Sequence, residues 1–231
     1  EILIVDEALS VGDTKFQIKC IEKMKEIREN GTTILFVSHA IEQIRRFCTR
    51  AIWIEKGALK ADGDANDVVN KYEDSLYIDS ARKSEIHERD IEISPSTPGT
   101  VGRIVSVICD TKRINTFETL QVKVVYDIFE EHVANLLIGV AIYDRDRKFI
   151  FGPNTYLDDI SIPHKKGRHT ISYRVQQIKL LSGTYFLDAG LFTEKGVVVI
   201  DYKTEAEQFV VSNKYFTEGL VYMEHEWRVN K

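Results

Sequence analysis

The sequence predicts an α/β segment followed by an all-β sandwich, and the spacing of its apolar residues is the main reason. Strand and helix signals alternate in the first part of the chain, whereas beyond Gly102 apolar residues recur at every second position and helical spacing is almost absent. Between these parts, residues 94–99 contain two prolines and predict a linker. We therefore expect two domains, 1–77 and 101–231, joined over 78–100 by a charged helix and a Pro-rich linker.

Composition places the chain among globular proteins and limits the classes of partner that it can bind. The 231 residues are 43% hydrophobic, and only 13 are Gly and 4 are Pro, which excludes a disordered or collagen-like chain. The net charge of −5 leaves no basic excess to neutralise phosphates, so we expect no nucleic-acid partner. Cys20, Cys48 and Cys109 are odd in number and far apart, which favours reduced, buried thiols over disulfides or a zinc cluster. No apolar run is long enough to predict a membrane span, and a chain that opens at Glu1, directly before an apolar strand, is expected to be a fragment.

The first elements follow from three apolar patterns. Residues 2–5 are a continuous apolar run, as in a strand that is buried on both faces. Residues 14–29 carry apolar side chains at helical spacing, with Asp13 as the N-cap and Asn30-Gly31 as the end. Residues 33–37 form a second apolar, β-branched strand.

The rest of the α/β segment is predicted from shorter sequence patterns. A helix over about 41–47 is followed by a hairpin in which Lys56-Gly57 joins residues 51–55 to residues 59–61. Asp64 is expected to cap a further helix that runs to about residue 71 and on past residue 77.

The last 130 residues show short segments of period two separated by turn signals such as Asp144-Arg145-Asp146 and Glu194-Lys195-Gly196. Seven or more short strands with almost no helical spacing predict a β-sandwich or barrel, and we expect a sandwich of jelly-roll or Ig-like type. The predicted strands include residues 122–124, 138–143, 171–175, 185–192, 197–200 and 209–211.

Acidic and imidazole side chains follow the two strands of the α/β segment. The first strand ends in Asp6-Glu7, and the second is followed by Ser38-His39. Ligands of α/β folds bind at the carboxyl ends of such strands. There Asp6 could hold Mg²⁺ through water, Glu7 could polarise the water that attacks a γ-phosphate, and His39 could contact the transferring phosphoryl group. The alternative is an acidic pair that only ends a strand at the surface.

Taken together, these residues resemble the second half of an ABC-transporter nucleotide-binding domain. Asp6 and Glu7 match the end of its Walker B motif, residues 10–13 its D-loop and His39 its switch histidine. The resemblance implies ATP and Mg²⁺ as cofactors, Glu7 and His39 as catalytic residues, and Asp6, Ser10 and Asp13 as nucleotide- or metal-site residues. It also implies a homodimer, because the D-loop acts across the dimer interface in this family.

Two motifs of that family do not occur in the chain. There is no Gly-x-x-x-x-Gly-Lys-Ser/Thr loop to cradle phosphates, and no ABC signature sequence. By the resemblance, both lie upstream of Glu1 in a longer parent protein. We therefore expect the parent to be an ATPase and this fragment to be inactive alone.

The all-β part narrows the resemblance to the Wzt family, the ATPase subunits of O-antigen polysaccharide exporters. The similarity rests on Val11-Gly12-Asp13, on residues 180–185 and on the closing segment 218–227. It implies a cytoplasmic subunit, peripheral on the inner face of the membrane, with a membrane-embedded permease as partner. It further implies that the β-domain recognises the exported lipid-linked polysaccharide.

Aromatic and polar side chains suited to sugars lie together in the stretch that starts at Phe149. The expected glycan site consists of Phe151, Asn154, Tyr156 and Asp158, although aromatics that alternate along strands also form cores. A rival interpretation is a regulatory or dimerisation module that never binds sugar. A glycosidase would need paired carboxylates, for which only the adjacent Asp158 and Asp159 are at hand. The histidines show no metal-ligand spacing.

Overall fold

The computed structural model describes residues 1–6, 12–83, 100–213 and 219–229, with side chains of the long third helix described up to residue 76. The described chain forms two compact units, Glu1–Thr97 with Thr193–Val199, and Pro98–Phe192 with Ile200–Lys231. No described helix is both long and apolar enough to cross a membrane. The predicted linker 94–99 lies outside the described residues.

The first unit opens with a β-α-β arrangement. Strand β1 (Ile2–Asp6) pairs in parallel with β2 (Thr33–Val37), and helix α1 (Thr14–Glu29) connects them. The predicted cap of α1 is confirmed, because the Asp13 carboxylate accepts a hydrogen bond from the Phe16 N–H at 2.8 Å. The predicted end is confirmed as well, with Asn30 as the C-cap.

The remaining elements of this unit are a short helix, a hairpin and a long helix. Helix α2 spans Ile41–Phe47, strands β3 (Arg50–Glu55) and β4 (Ala58–Asp64) pair in antiparallel fashion, and helix α3 spans Ala65–Lys83. Asp64 caps α3 by accepting from the Asn66 N–H at 2.9 Å. The rest of the predicted charged helix, beyond Lys83, lies outside the described residues.

The prediction that residues 2–5 are buried on both faces is wrong for the described chain. Val5 is buried and Leu3 packs against the core beside Ile21 and Met24 of α1, but Ile2 and Ile4 are 67% and 68% exposed. The neighbouring side chains Leu35 and Val37 of β2 are also exposed. The reason is that α1 covers one face only, whereas parallel sheets are normally covered on both.

The second unit contains the β-sandwich, as predicted. One sheet has three strands in the order β10-β7-β5, and the other has five in the order β6-β12-β11-β8-β9. Inward-facing side chains of β7 and β11, including Val122, Val124, Leu187 and Leu191, are fully buried between the sheets. The strands are β5 (Gly102–Cys109), β6 (Arg113–Asn115), β7 (Leu120–His132), β8 (Leu137–Tyr143), β9 (Phe149–Phe151), β10 (Lys165–Val175), β11 (Gly183–Thr193) and β12 (Val198–Ser212).

The strand predictions need one correction. Residues 197–200 and 209–211 were expected to be separate strands, but both fall largely within the single strand β12. Residues 203–208 between them are mostly polar and hide the period of two. Glu205 adopts a positive φ of 49°, so the strand is locally irregular where its pattern is weakest.

Candidate functional site

The carboxyl end of the parallel β1–β2 pair is the first place where predicted site residues meet. Asp6 is the last residue of β1 and pairs in register with Val37 of β2. His39 follows two residues later and is exposed, so the two predicted residues share one edge of the sheet. Glu7 and Ser10, predicted as catalytic base and nucleotide contact, lie outside the described residues.

Two polar side chains at this edge make hydrogen bonds that stabilise the local backbone. The Asp13 carboxylate caps α1, as described above, which occupies one of its oxygens. The Ser38 hydroxyl accepts from the Ala40 N–H at 3.0 Å and donates to Gln43 Oε1 at 3.1 Å, so it organises the start of α2. Within the described ranges, no three His, Cys, Asp or Glu side chains are grouped closely enough to hold a metal ion.

A second candidate site is the outer face of the five-stranded sheet in the β-sandwich. Along β11, the core residues alternate with outward-facing ones, among them Asp188, Gly190 and Phe192. Phe192 lies 6.2 Å from the Tyr202 ring of β12, and Tyr143 of β8 lies 5.5 Å from Phe149 of β9, both measured between ring centroids. We call the surface formed by Tyr143, Phe149, Asp188, Phe192 and Tyr202 the aromatic face.

A buried carboxylate organises the aromatic face. The Asp188 side chain is only 1% exposed, and it accepts hydrogen bonds from Arg147 Nη1 at 3.0 Å and Nη2 at 2.6 Å. The Tyr202 hydroxyl donates to the same carboxylate at 3.0 Å, and the Glu205 N–H donates at 2.8 Å. These four donors compensate the buried negative charge.

The same ion pair fixes Arg147 above a tyrosine ring. The Arg147 guanidinium carbon lies 4.1 Å from the Tyr143 ring centroid, which is a cation–π geometry. Its hydrogen bonds to Asp188 raise the pKa of Arg147, so the guanidinium keeps its charge. Burial raises the pKa of Tyr143, which keeps its hydroxyl protonated and able to donate. The Arg147 side chain is 31% exposed, so part of it faces solvent.

Two glycines face each other beneath these rings. Gly190 of β11 pairs with Gly139 of β8. A Cβ on Gly190 would come within 2.2 Å of the Phe192 ring and 2.9 Å of the Tyr202 ring. The absence of a side chain at Gly190 therefore lets both rings lie close to the sheet.

The predicted glycan residues lie at the edge of this face, in and after β9. Phe151, Tyr156 and Asp158 are exposed, whereas Asn154 is half-buried and uses Oδ1 to accept from the Leu157 N–H at 2.9 Å. Phe151 pairs with the core-facing Ile142, while Phe149 contacts Tyr143 on the outer side. Of the two phenylalanines, the structure thus brings Phe149 rather than Phe151 to the aromatic face.

An unsatisfied hydroxyl lies near the predicted Asp158. Tyr173 Oη on β10 is a buried side-chain atom that makes no hydrogen bond within the described residues. Burial, with a smaller contribution from the Asp158 carboxylate, raises the pKa of Tyr173 to about 12. The hydroxyl is therefore protonated near neutral pH and can bond a water molecule or a ligand hydroxyl.

Sequence reasoning missed Arg147, Asp188 and Tyr202. One signal was available for Asp188, because it alternates with apolar core residues in β11 and so had to point outward. No such sequence signal was available for Arg147, because it lies in a turn and its partner Asp188 is 41 residues away in the sequence.

Comparison with known proteins gives a family and a set of relatives. The family model described as "Wzt C-terminal domain" matches residues 107–223, more than half of the chain. The teichoic acids export ATP-binding protein TagH of Staphylococcus haemolyticus (strain JCSC1435) is 49% identical over 89 residues, covering 38% of this chain and 33% of that protein. TagH of Bacillus anthracis is 47% identical over 76 residues, covering 33% of this chain and 14% of that protein. The chain thus spans only a third or less of these curated relatives.

A solved structure supports the fold of the second unit. The structure described as "Crystal structure of the C-terminal domain of wzt" superposes with a TM-score of 0.50 and 14% sequence identity. The match covers 58% of this chain and 86% of that one. At this level of identity, the similarity shows a common fold.

Proposed function

The chain belongs to the Wzt C-terminal domain family, and from that premise we propose that it is part of the ATP-binding subunit of an ABC exporter for lipid-linked polysaccharide. Its relatives named TagH are described as teichoic acids export ATP-binding proteins, which supports an export ATPase. The exposed apolar face of the β1–β2 sheet also supports a larger α/β domain, because parallel strands are normally covered on both faces. O-antigen is the polymer type that we propose.

The β-sandwich is the glycan-recognising part in this proposal, and the aromatic face is its binding surface. The observation that carries this assignment is the set of partly exposed rings around the buried Asp188 carboxylate and its partner Arg147. Aromatic rings stack on the C–H faces of sugars, while a fixed guanidinium donates to their hydroxyls. Asn154, Tyr156 and Asp158 extend the surface at its edge.

The α/β unit supplies part of the ATPase centre in this proposal. A single exposed carboxylate at a strand end suits Mg²⁺, which keeps much of its water shell, so the Asp6 position fits that ion. Bound Mg²⁺ would neutralise charge on the phosphates of ATP. Glu7 would orient the attacking water, and His39, on the same sheet edge, would hydrogen-bond the γ-phosphate. Ser10 and Asp13 would lie next to the nucleotide, with Asp13 also capping α1.

The partners follow from the same proposal. The subunit would be cytoplasmic, bound to a membrane-embedded permease and paired with a second copy of itself. The segment 219–229 supports self-association, because its Met223 and Trp227 are 76% and 88% exposed. It also keeps open the rival function, in which the β-domain only dimerises or regulates.

A binding experiment separates glycan recognition from that rival. The full chain is screened on an array of O-antigen and teichoic-acid oligosaccharides, and the best ligand is titrated by calorimetry. We expect Phe149→Ala to weaken binding about tenfold, since an aromatic contact contributes roughly 1 kcal/mol or more.

Phe151→Ala is the matched control, because the same residue type lies exposed on the same short strand but is paired with a core residue. Its affinity should stay within about twofold of the unmodified chain. A chain that binds no array ligand, yet sediments as a tight dimer, would favour the dimerisation function.

A further inference from the structure

The outer face of the three-stranded sheet carries a second polar cluster, on the side of the sandwich opposite the aromatic face. In the register of this sheet, Asp127 of β7 pairs with Arg103 of β5 and with Arg168 of β10. Directly paired residues on adjacent strands point to the same face. We call Arg103, Asp127 and Arg168 the guanidinium cluster.

Each arginine of the guanidinium cluster donates two hydrogen bonds to the same carboxylate, and those of Arg168 are bidentate. Arg168 donates from Nε to Asp127 Oδ1 at 2.7 Å and from Nη2 to Oδ2 at 3.0 Å. Arg103 donates to Oδ2 from Nε at 3.2 Å and from Nη2 at 3.1 Å. Arg103 also lies over the Phe129 ring, 5.7 Å from its centroid, which holds its plane in place.

This arrangement leaves positive charge facing solvent. The Asp127 side chain is 11% exposed, whereas Arg103 and Arg168 are 55% and 61% exposed. Hydrogen bonding from Arg168, together with Arg103, lowers the pKa of Asp127, so this carboxylate is ionised at neutral pH. One carboxylate cannot balance two guanidiniums, and in the described part of the chain neither Nη1 group has a hydrogen-bond partner. An approaching anion therefore meets N–H donors rather than the carboxylate.

The positively charged surface around the guanidinium cluster continues along β10 and the neighbouring β7. Arg168, Thr170, Ser172 and Arg174 are alternate residues of β10, and all four are exposed. They span about 20 Å at the rise of an extended strand. Lys123 of β7 pairs with Ser172 and is balanced by Asp110 at 3.4 Å, whereas Arg174 has no ion-pair partner among the described residues.

We propose that this face binds an anionic polymer chain, whose phosphate or carboxylate groups are held by Arg103 and Arg168. Guanidinium edges match the two oxygens of such groups. The hydroxyls of Thr170 and Ser172, between the two β10 arginines, suit the hydroxyl groups of a glycan or polyol backbone better than a layer of lipid headgroups. The site is independent of the aromatic face, and it assigns an anionic class of ligand to the domain.

The test measures binding of the full chain to four probes at low salt. They are poly(glycerol phosphate), polygalacturonate, neutral dextran, and phosphatidylglycerol vesicles in a phosphatidylcholine background. We expect one or both polyanions to bind, with affinity falling steeply as salt is added. The double variant Arg103→Gln/Arg168→Gln should bind at least tenfold more weakly, since hydrogen bonds to charged groups are among the stronger ones.

A charge-matched control isolates the geometry. Lys112→Gln/Lys179→Gln removes the same charge from two exposed lysines that pair with Glu207 and Glu224 away from this face. It should retain binding within about threefold. Arg103→Lys/Arg168→Lys keeps the charge without the bidentate fork, and an intermediate loss is expected even if the Gln variant fails to fold.

Three results would overturn the proposal. They are equal losses in the Gln and control variants, binding to vesicles but to neither polyanion, and no binding of any probe. Binding of a neutral array ligand at the aromatic face should be unchanged in the Arg103→Gln/Arg168→Gln variant, so failure of this proposal is separable from failure of the proposed function.

Discussion

At the scale of single residues, Asp188 is the most constrained charge in the β-sandwich. Among the described residues it accepts four hydrogen bonds, and the two from Arg147, at 3.0 and 2.6 Å, are the ones that bring a compensating positive charge. Removing one partner of a buried ion pair leaves the other uncompensated, and that cost exceeds the net stabilisation by the pair itself. Asp188 therefore ties the stability of the domain to the geometry of its candidate site.

We expect Arg147→Ala to lower the free energy of unfolding by about 2 kcal/mol or more, because Asp188 remains buried with two neutral donors. Urea unfolding followed by circular dichroism checks this value. In the double variant Arg147→Leu/Asp188→Asn, the loss of unfolding free energy should be smaller than the sum of the losses in Arg147→Leu and Asp188→Asn. Additive losses would show that the pair is not coupled.

The lowered pKa of Asp127 predicts how the stability of the domain depends on pH. Its pKa is lowered in the folded domain, first by the hydrogen bond from Arg168, so the folded state binds fewer protons than the unfolded one below about pH 4. The stabilisation is complete above the unfolded pKa and is lost as pH falls through the folded pKa. Thermal melting between pH 6 and pH 3 should show a shallower decline for Asp127→Asn than for the unmodified chain, and identical slopes would contradict the assignment.

Residue-level features were predictable where the cause is local. Asp13 and Asp64 were expected as helix caps, and both accept the expected N–H bonds, because a cap depends on residues a few positions away. The Arg147–Asp188 and Arg103–Asp127 pairs join residues 41 and 24 positions apart. Their partners depend on strand order and register, which one sequence does not reveal.

At the scale of elements, β11 positions the aromatic face, and Gly190 is the position at which an added side chain would disturb that face. In Gly190→Ala, the added Cβ would overlap the Phe192 ring, so that ring and Tyr202 must move. We expect about 1–3 kcal/mol of destabilisation and at least a fivefold loss of affinity for the array ligand. Urea unfolding and calorimetry measure the two effects.

Gly139 provides the control, because it pairs with Gly190 on the adjacent strand. A Cβ there would meet its nearest atoms at 3.5–3.6 Å, which is ordinary contact. Gly139→Ala should therefore bind and unfold much like the unmodified chain. Equal effects of the two substitutions would show that the position of Phe192 does not matter.

Element prediction succeeded where periodicity was strong and uninterrupted. Helix α1 was expected over residues 14–29 and spans those residues, since apolar spacing, an N-cap and a terminal glycine all agree. Strand β12 was divided in two, because its polar middle and the positive φ at Glu205 hide a continuous strand. Pairing in the sheet overrides the local signal there.

At the scale of the whole molecule, we expect residues 1–231 not to hydrolyse ATP. The chain contains no phosphate-binding Gly-x-x-x-x-Gly-Lys-Ser/Thr loop, and positioning supplies most of the catalysis in phosphoryl transfer. A coupled phosphate-release assay checks this. Magnesium-dependent turnover that Glu7→Gln abolishes would contradict it.

In a full-length protein that contains this chain, Glu7→Gln or His39→Ala should lower turnover on the order of a hundredfold while nucleotide binding persists, because both groups act mainly in the transition state. Steady-state ATPase rates, with fluorescent-nucleotide binding as the control, make that comparison. Near-normal rates in both variants would remove the catalytic assignment.

The central claim is that the aromatic face of the β-sandwich binds the exported glycan, and hydrogen–deuterium exchange of the full chain tests it most directly. With a neutral array ligand at saturation, exchange should slow in peptides that cover residues 138–154, 185–193 and 200–205, which carry the aromatic face and its edge. The three-stranded sheet should exchange as before. Protection confined to residues 219–229, or no protection at all, would contradict the claim.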